Sequence, residues 1–186
     1  VQEGWGACML YRVIEDHSKL GDSPHHVQLI ADLSQDFLEG NHIFCSVSGR
    51  HEKTKGPAGT RVMTVSTHAP LSRLRELSSD EQGSYLGTIQ DRMRSTLHLL
   101  APELAAPLVH ELTASPRTFE RFTGRPEGLV GGIPRRAGWQ NYKNLGPCVA
   151  DRGLFLAGDS NFPGQSTLAV SLGGIKAAEV ALASLR

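Results

Sequence analysis

Between residues 153 and 185 an apolar stretch ending in Gly-Asp (GLFLAGD) leads through a polar turn (SNFPGQST) into an apolar, helix-like run (LAVSLGGIKAAEVALASL). Gly158 removes a side chain where a ligand must come close to the backbone. Asp159, at the C-terminal edge of the expected strand, can accept hydrogen bonds from ligand hydroxyls. The helix start at residues 167–170 offers backbone N–H groups without intrahelical partners and a partial positive charge, both suited to an anion. A flavin has ribityl hydroxyls for the carboxylate and a pyrimidine edge that turns anionic on reduction. The plainer reading is a core strand, a turn and a core helix in which Asp159 only caps. Short glycine motifs alone leave both readings open.

The upstream residues supply the framework. Residues 7–14 (ACMLYRVI), 26–31 (HVQLIA), 43–48 (IFCSVS) and 61–67 (RVMTVST) are rich in strand formers and separated by turn-forming stretches. The cluster Ser78, Ser79, Asp80, Glu81 opens a helix running to about Leu100, with Tyr85, Leu86, Ile89, Met93, Leu97 and Leu100 on one apolar stripe. A short strand at residues 109–112 follows, and Pro116 begins a short helix, PRTFERF. Residues 124–152 are rich in Gly, Pro and Arg and have little periodicity; long connections of this kind usually serve a function. The terminal helix, with Lys176 and Glu179 on one exposed face, is expected to be buried nearly all round, and no run is read as long enough to span a membrane.

With 186 residues, 39% hydrophobic and 20% charged, the chain has ordinary globular composition. Its 19 basic and 19 acidic residues cancel, which points away from nucleic acid. Cys8, Cys45 and Cys148 are an odd, widely spaced set that excludes a disulfide framework, and the eight histidines show no metal-ligand spacing. Arg117, Arg121, Arg125, Arg135 and Arg136 read as a solvated face or as a patch for anionic lipid headgroups. Trp5, Trp139, Tyr142 and Phe162 read as packing residues or as the lining of an apolar tunnel. No Ser/His/Asp arrangement stands out, and no catalytic acid or base is assigned. The opening VQEGWG leads straight into an apolar run, which suggests a fragment or a processed chain.

Residues 153–178 resemble the C-terminal flavin segment of the phytoene desaturase and carotenoid isomerase family of FAD-dependent enzymes. That segment has a strand, Gly-Asp, a Phe-Pro-Gly-Gln turn and an Ala-Val-rich helix. Gly4-Trp5-Gly6-Ala7 with Met9-Leu10-Tyr11, Ser66-Thr67-His68, the stretch from Ser115 to Arg121, and Gly131-Gly132-Ile133-Pro134 are also similar. Carotenoid desaturases and isomerases match better than amine oxidases. There are two departures. Ser166 stands where the family often has glycine, and no G-x-G-x-x-G follows a strand anywhere in the chain.

The resemblance implies an α/β fold. Residues 1–130 would form an α+β substrate lobe on a mixed or antiparallel sheet. Residues 131–186 would supply the last strand and helix of an incomplete Rossmann-type FAD domain whose ADP-binding half comes from elsewhere. It implies non-covalent FAD held by Gly158, Asp159, Gly164, Gln165, Thr167, Leu168, Ala169 and Val170. The implied reaction is desaturation or cis–trans isomerisation of a carotenoid-like polyene, in a cytoplasmic protein with possible peripheral membrane contact. The alternatives are an inactive or split piece needing a partner, and a relative acting on another lipid or an amine.

Overall fold

In this computed structural model the described residues are 4–105, 107–132, 149–151, 153–161 and 164–185. They fall into two compact units, one built on Trp5–Leu129 and one on Gly4 with the described residues from Val130 onward.

Alternation shapes the first unit. In β1 (Trp5–Glu15) Cys8, Leu10, Arg12 and Ile14 point inward, and the residues between them face outward. Strands β2 (His25–Ile30), β3 (His42–Val47), β4 (Thr60–Pro70) and β5 (Leu108–Ala114) complete an antiparallel sheet in the order β2-β3-β4-β1-β5. After the short helix α1 (Leu71–Arg75), α2 (Ser79–Leu100) covers one face of the sheet. A capping box starts α2: Glu81 N–H donates to Ser78 Oγ, and Ser78 N–H donates to the Glu81 carboxylate. The expected stripe holds for Leu86, Ile89, Met93 and Leu97, which are buried, whereas Leu100 is 40% exposed. The one-turn helix α3 (Pro102–Ala105) and α4 (Pro116–Thr123) follow, with Pro116 in the first turn of α4 and Gly124 closing it at φ 68°.

Between sheet and helix lie Leu10, Ile14, Ile43, Val47, Met63, Val65, Met93 and Leu97. Cys8 and Cys45 belong to this core, and burial pushes their thiols up to about 12, so they are inert packing residues. Two buried arginines were not anticipated. Arg61 donates to the carbonyls of Ser48, Gly21 and Ser23 and sits 3.5 Å from Asp16. Arg12 meets Glu111 at 2.9 Å as a charge contact rather than an aligned hydrogen bond, and Arg94 holds the other Glu111 oxygen at 2.8 Å. Burial lowers the Arg12 pKa, and Glu111 opposes that shift.

The second unit contains the antiparallel pair β6 (Val149–Asp151) and β7 (Leu154–Phe155), then α5 (Thr167–Ser184). The expected strand over 153–159 is therefore two residues long. The expected burial of α5 does not hold either: only Gly173 and Ala177 are buried, while Leu168, Leu172, Ile175 and Leu182 are exposed. At 18 residues, α5 is also long and apolar enough to cross a membrane by length and composition, contrary to the sequence reading.

Candidate functional site

The turn between β7 and α5 is built on positive φ angles. Gly158 lies at φ 137° and Gly164 at φ 102°, conformations that glycine adopts without steric cost. A Cβ added at Gly158 would meet nothing within 4 Å, so space for a ligand lies open beside the backbone there. Asp159 follows, half-buried rather than sunk in hydrocarbon. Asn161 N–H closes the turn onto the Gly158 carbonyl at 3.2 Å.

Gln165 and Ser166 join this turn to its surroundings. The Gln165 side-chain amide donates to the Gly131 carbonyl at 2.7 Å. Ser166 sits at φ 96°, ψ 154°, a region that is essentially glycine's alone, and its hydroxyl accepts Ala169 N–H at 3.2 Å. Val170 N–H donates to the Ser166 carbonyl at 3.0 Å. Of the residues expected to offer free donors, Ala169 and Val170 have therefore committed theirs. Thr167 and Leu168 keep backbone N–H groups with no partner among the described residues. The donor set is narrower than the sequence suggested, but it is not exhausted.

Gly158, Asp159, Gly164, Gln165, Thr167, Leu168, Ala169 and Val170 thus lie along one turn and the first turn of α5. Phe162 and Pro163 of the same turn lie outside the described residues, as do Ile133, Pro134, Arg135, Arg136, Trp139, Tyr142 and Cys148.

In the first unit, the sheet face away from α2 forms a second candidate surface. Cross-strand register places Met9, Tyr11 and Val13 of β1 opposite Ser66, Thr64 and Val62 of β4, with Leu112 of β5 beside Tyr11. Phe44 lies opposite Ser66 on the other side and stacks with His26, ring centroids 6.0 Å apart. Trp5 meets His68 edge-on at 6.4 Å, and Phe37 lies 6.2 Å from His42. His68 is exposed at the end of β4, yet partial desolvation by its surroundings, and then the charge of His42, lowers its pKa and favours the neutral imidazole. The face is apolar and aromatic with weakly polar hydroxyls and imidazoles, which suits a long hydrophobic ligand lying flat. From sequence, Trp5 reads as packing or tunnel lining, and Met9, Tyr11, Ser66 and His68 lie in segments similar to the family. The signal for the others was the outward half of the alternation in each strand.

The arginines near α4 are partly engaged: Arg117 donates to Ser79 Oγ and Gln82 Oε1, both at 2.9 Å, and Arg121 lies 5.5 Å from the Phe122 ring centroid. Among the described residues no group of three or more His, Cys, Asp and Glu side chains is arranged to hold a metal.

Across 162 residues, 87% of this chain, the sequence is 27% identical to prolycopene isomerases 1 and 2, chloroplastic, of an Oncidium hybrid cultivar. It is 26% identical over 162 residues to prolycopene isomerase, chloroplastic, of Daucus carota, and 26% over 155 residues to that of Arabidopsis thaliana. The chain is similar to prolycopene isomerases. The matched region is 26–28% of each relative's length, so the chain spans about a quarter of the proteins it resembles. No family model matches the chain. By their names the prolycopene isomerases are enzymes of the chloroplast that act on a carotenoid.

Proposed function

We propose that this chain is the C-terminal portion of an FAD-dependent oxidoreductase that desaturates or isomerises a carotenoid-like polyene. The observation that carries the reading is the likeness to prolycopene isomerases across 87% of the chain, which includes the Gly158–Asp159 turn. The local geometry fits a flavin. Open space beside Gly158, a half-buried carboxylate at Asp159 and two uncommitted N–H groups at Thr167 and Leu168 are what a polyhydroxylated, redox-active anion requires.

FAD, when bound, supplies the acceptance and return of a hydride. The chain's own part is to hold it. Asp159 accepts hydrogen bonds from ribityl hydroxyls, while the Thr167 and Leu168 amides and the α5 dipole favour negative charge on the ring edge. In the first unit the outward sheet face, with Met9, Tyr11, Val13, Phe44 and Leu112, holds the polyene by apolar contact. A hydrophobic substrate of this kind also favours peripheral contact with a membrane.

A second reading, a piece that works only with a partner supplying the ADP-binding half, is favoured by the absence of G-x-G-x-x-G from these 186 residues. One experiment addresses both. The full-length protein, purified and scanned for flavin absorbance, is expected to be yellow and to lose flavin on gel filtration after Asp159→Ala. A colourless protein that takes up flavin only when mixed with an ADP-binding partner supports the second reading. Unchanged flavin in the variant removes Asp159 from the site.

A further inference from the structure

We propose that Gln165, Gly131 and Gly132 form a latch that positions the cofactor turn, and that Gln165 itself is a positioning residue rather than a flavin contact. This rests on the flavin reading of that turn. Gly131 and Gly132 have φ 88° and 69°, which disfavours any L side chain at either position. Neither has room for one. A Cβ on Gly131 would land on the Gln165 side-chain amide, and a Cβ on Gly132 would come within 2.7 Å of the Asp159 carbonyl oxygen.

The two glycines therefore let a backbone strand lie directly under the Asp159 peptide, and Gln165 ties the other end of the turn to the same strand. Its amide donates to the Gly131 carbonyl at 2.7 Å, across 34 residues of sequence. The turn is tied by a hydrogen bond at Gln165 and packs closely, backbone on backbone, at Asp159, both against one pair of glycines. One Gln165 amide N–H is held by Gly131, which fixes the side chain against the glycine pair, and we assign the residue an indirect contribution to the ligand. It fixes where the Asp159 carboxylate and the Thr167 and Leu168 amides point, and geometry of this kind governs affinity.

The test uses the full-length protein with Gln165→Leu, Gln165→Glu and Gly132→Ala. Gln165→Leu keeps the bulk and removes the donor. It is expected to weaken flavin retention about tenfold, and, in the flavin-free protein, to speed amide hydrogen exchange over residues 158–166. Gln165→Glu cannot donate when ionised but can when protonated. Its retention is expected to match Gln165→Leu at neutral pH and to rise toward wild type as pH falls through the carboxyl range near about 4.3, measured against wild type at each pH. A residue that merely fills space would give no such pH-dependent rescue. Gly132→Ala is expected to lose flavin outright. If that variant fails to fold, the two Gln165 variants decide the matter. If wild type carries no flavin, the functional reading falls and the latch falls with it. If wild type carries flavin and both Gln165 variants behave like it, the latch alone is overturned.

Discussion

Ser166 offers its hydroxyl to Ala169 N–H at 3.2 Å while its own backbone stands at φ 96°, ψ 154°. The cap is favourable and the conformation that presents it is not. Residues other than glycine in this region carry about 1–3 kcal/mol of strain. A serine cap exchanged for glycine loses only a few tenths of a kcal/mol, whereas exchange for alanine costs about 1.

Ser166→Gly is therefore expected to stabilise the protein by about 1–2 kcal/mol, and Ser166→Ala to destabilise it by about 1. Thermal or denaturant unfolding of the two variants checks the signs. Equal effects from both would mean that the strain is not released at this position. Ser166→Gly also frees the Ala169 N–H, adding a third donor to those of Thr167 and Leu168.

The Arg12–Glu111 contact gives a second expectation. Glu111→Leu leaves the Arg12 guanidinium, with 7% of its side chain exposed, without a counter-charge. A loss of about 3 kcal/mol follows. Arg12→Met should cost less, because Arg94 still holds Glu111 at 2.8 Å. The double variant should recover much of the Glu111→Leu loss. Urea unfolding across this cycle measures the coupling, and strictly additive costs would show that the pair does not interact.

His68 sets a pH expectation. Partial desolvation of this exposed imidazole, and secondarily His42, lowers its pKa in the folded protein. The folded state therefore resists a proton that the unfolded chain accepts near pH 6.5. The imidazole costs nothing well above that value. It reduces stability as pH falls below it, and the loss is complete once pH has passed the lower folded pKa. An NMR titration should put the His68 midpoint below about 6.5. His42→Asn should raise it only part of the way, since desolvation is the larger cause. A midpoint above the ordinary histidine value would overturn this account of the open sheet face.

Alternation and helical spacing made much of the first unit legible. The outward and inward halves of β1, the stripe Leu86–Ile89–Met93–Leu97, the Ser78 cap and Pro116 in the first turn of α4 are local signals that point the same way as the packing. What escaped was non-local. Arg12 and Arg61 look like outward charges in a strand pattern. They face inward because Glu111, Asp16 and the carbonyls of Gly21, Ser23 and Ser48 come from distant segments to meet them. In the candidate site, the Gly-Asp signal coincides with a turn in which Gly158 and Gly164 take positive φ, while Pro163 lies outside the described residues. The Gln165–Gly131 bond and the conformation of Ser166 depend on how the turn docks, which residue spacing does not encode. The composition of α5 reports apolarity, but not whether that apolar surface is covered.

The exposure of α5 bears on how the protein behaves in the test tube. Leu168 at 71%, Ile175 at 58% and Leu182 at 63% put greasy rungs along a rod whose only charges are Lys176 and Glu179. With net charge near zero, these 186 residues handled by themselves have little colloidal repulsion to keep such rods apart. Clumping that a mild detergent reverses is the expected behaviour in the purified chain.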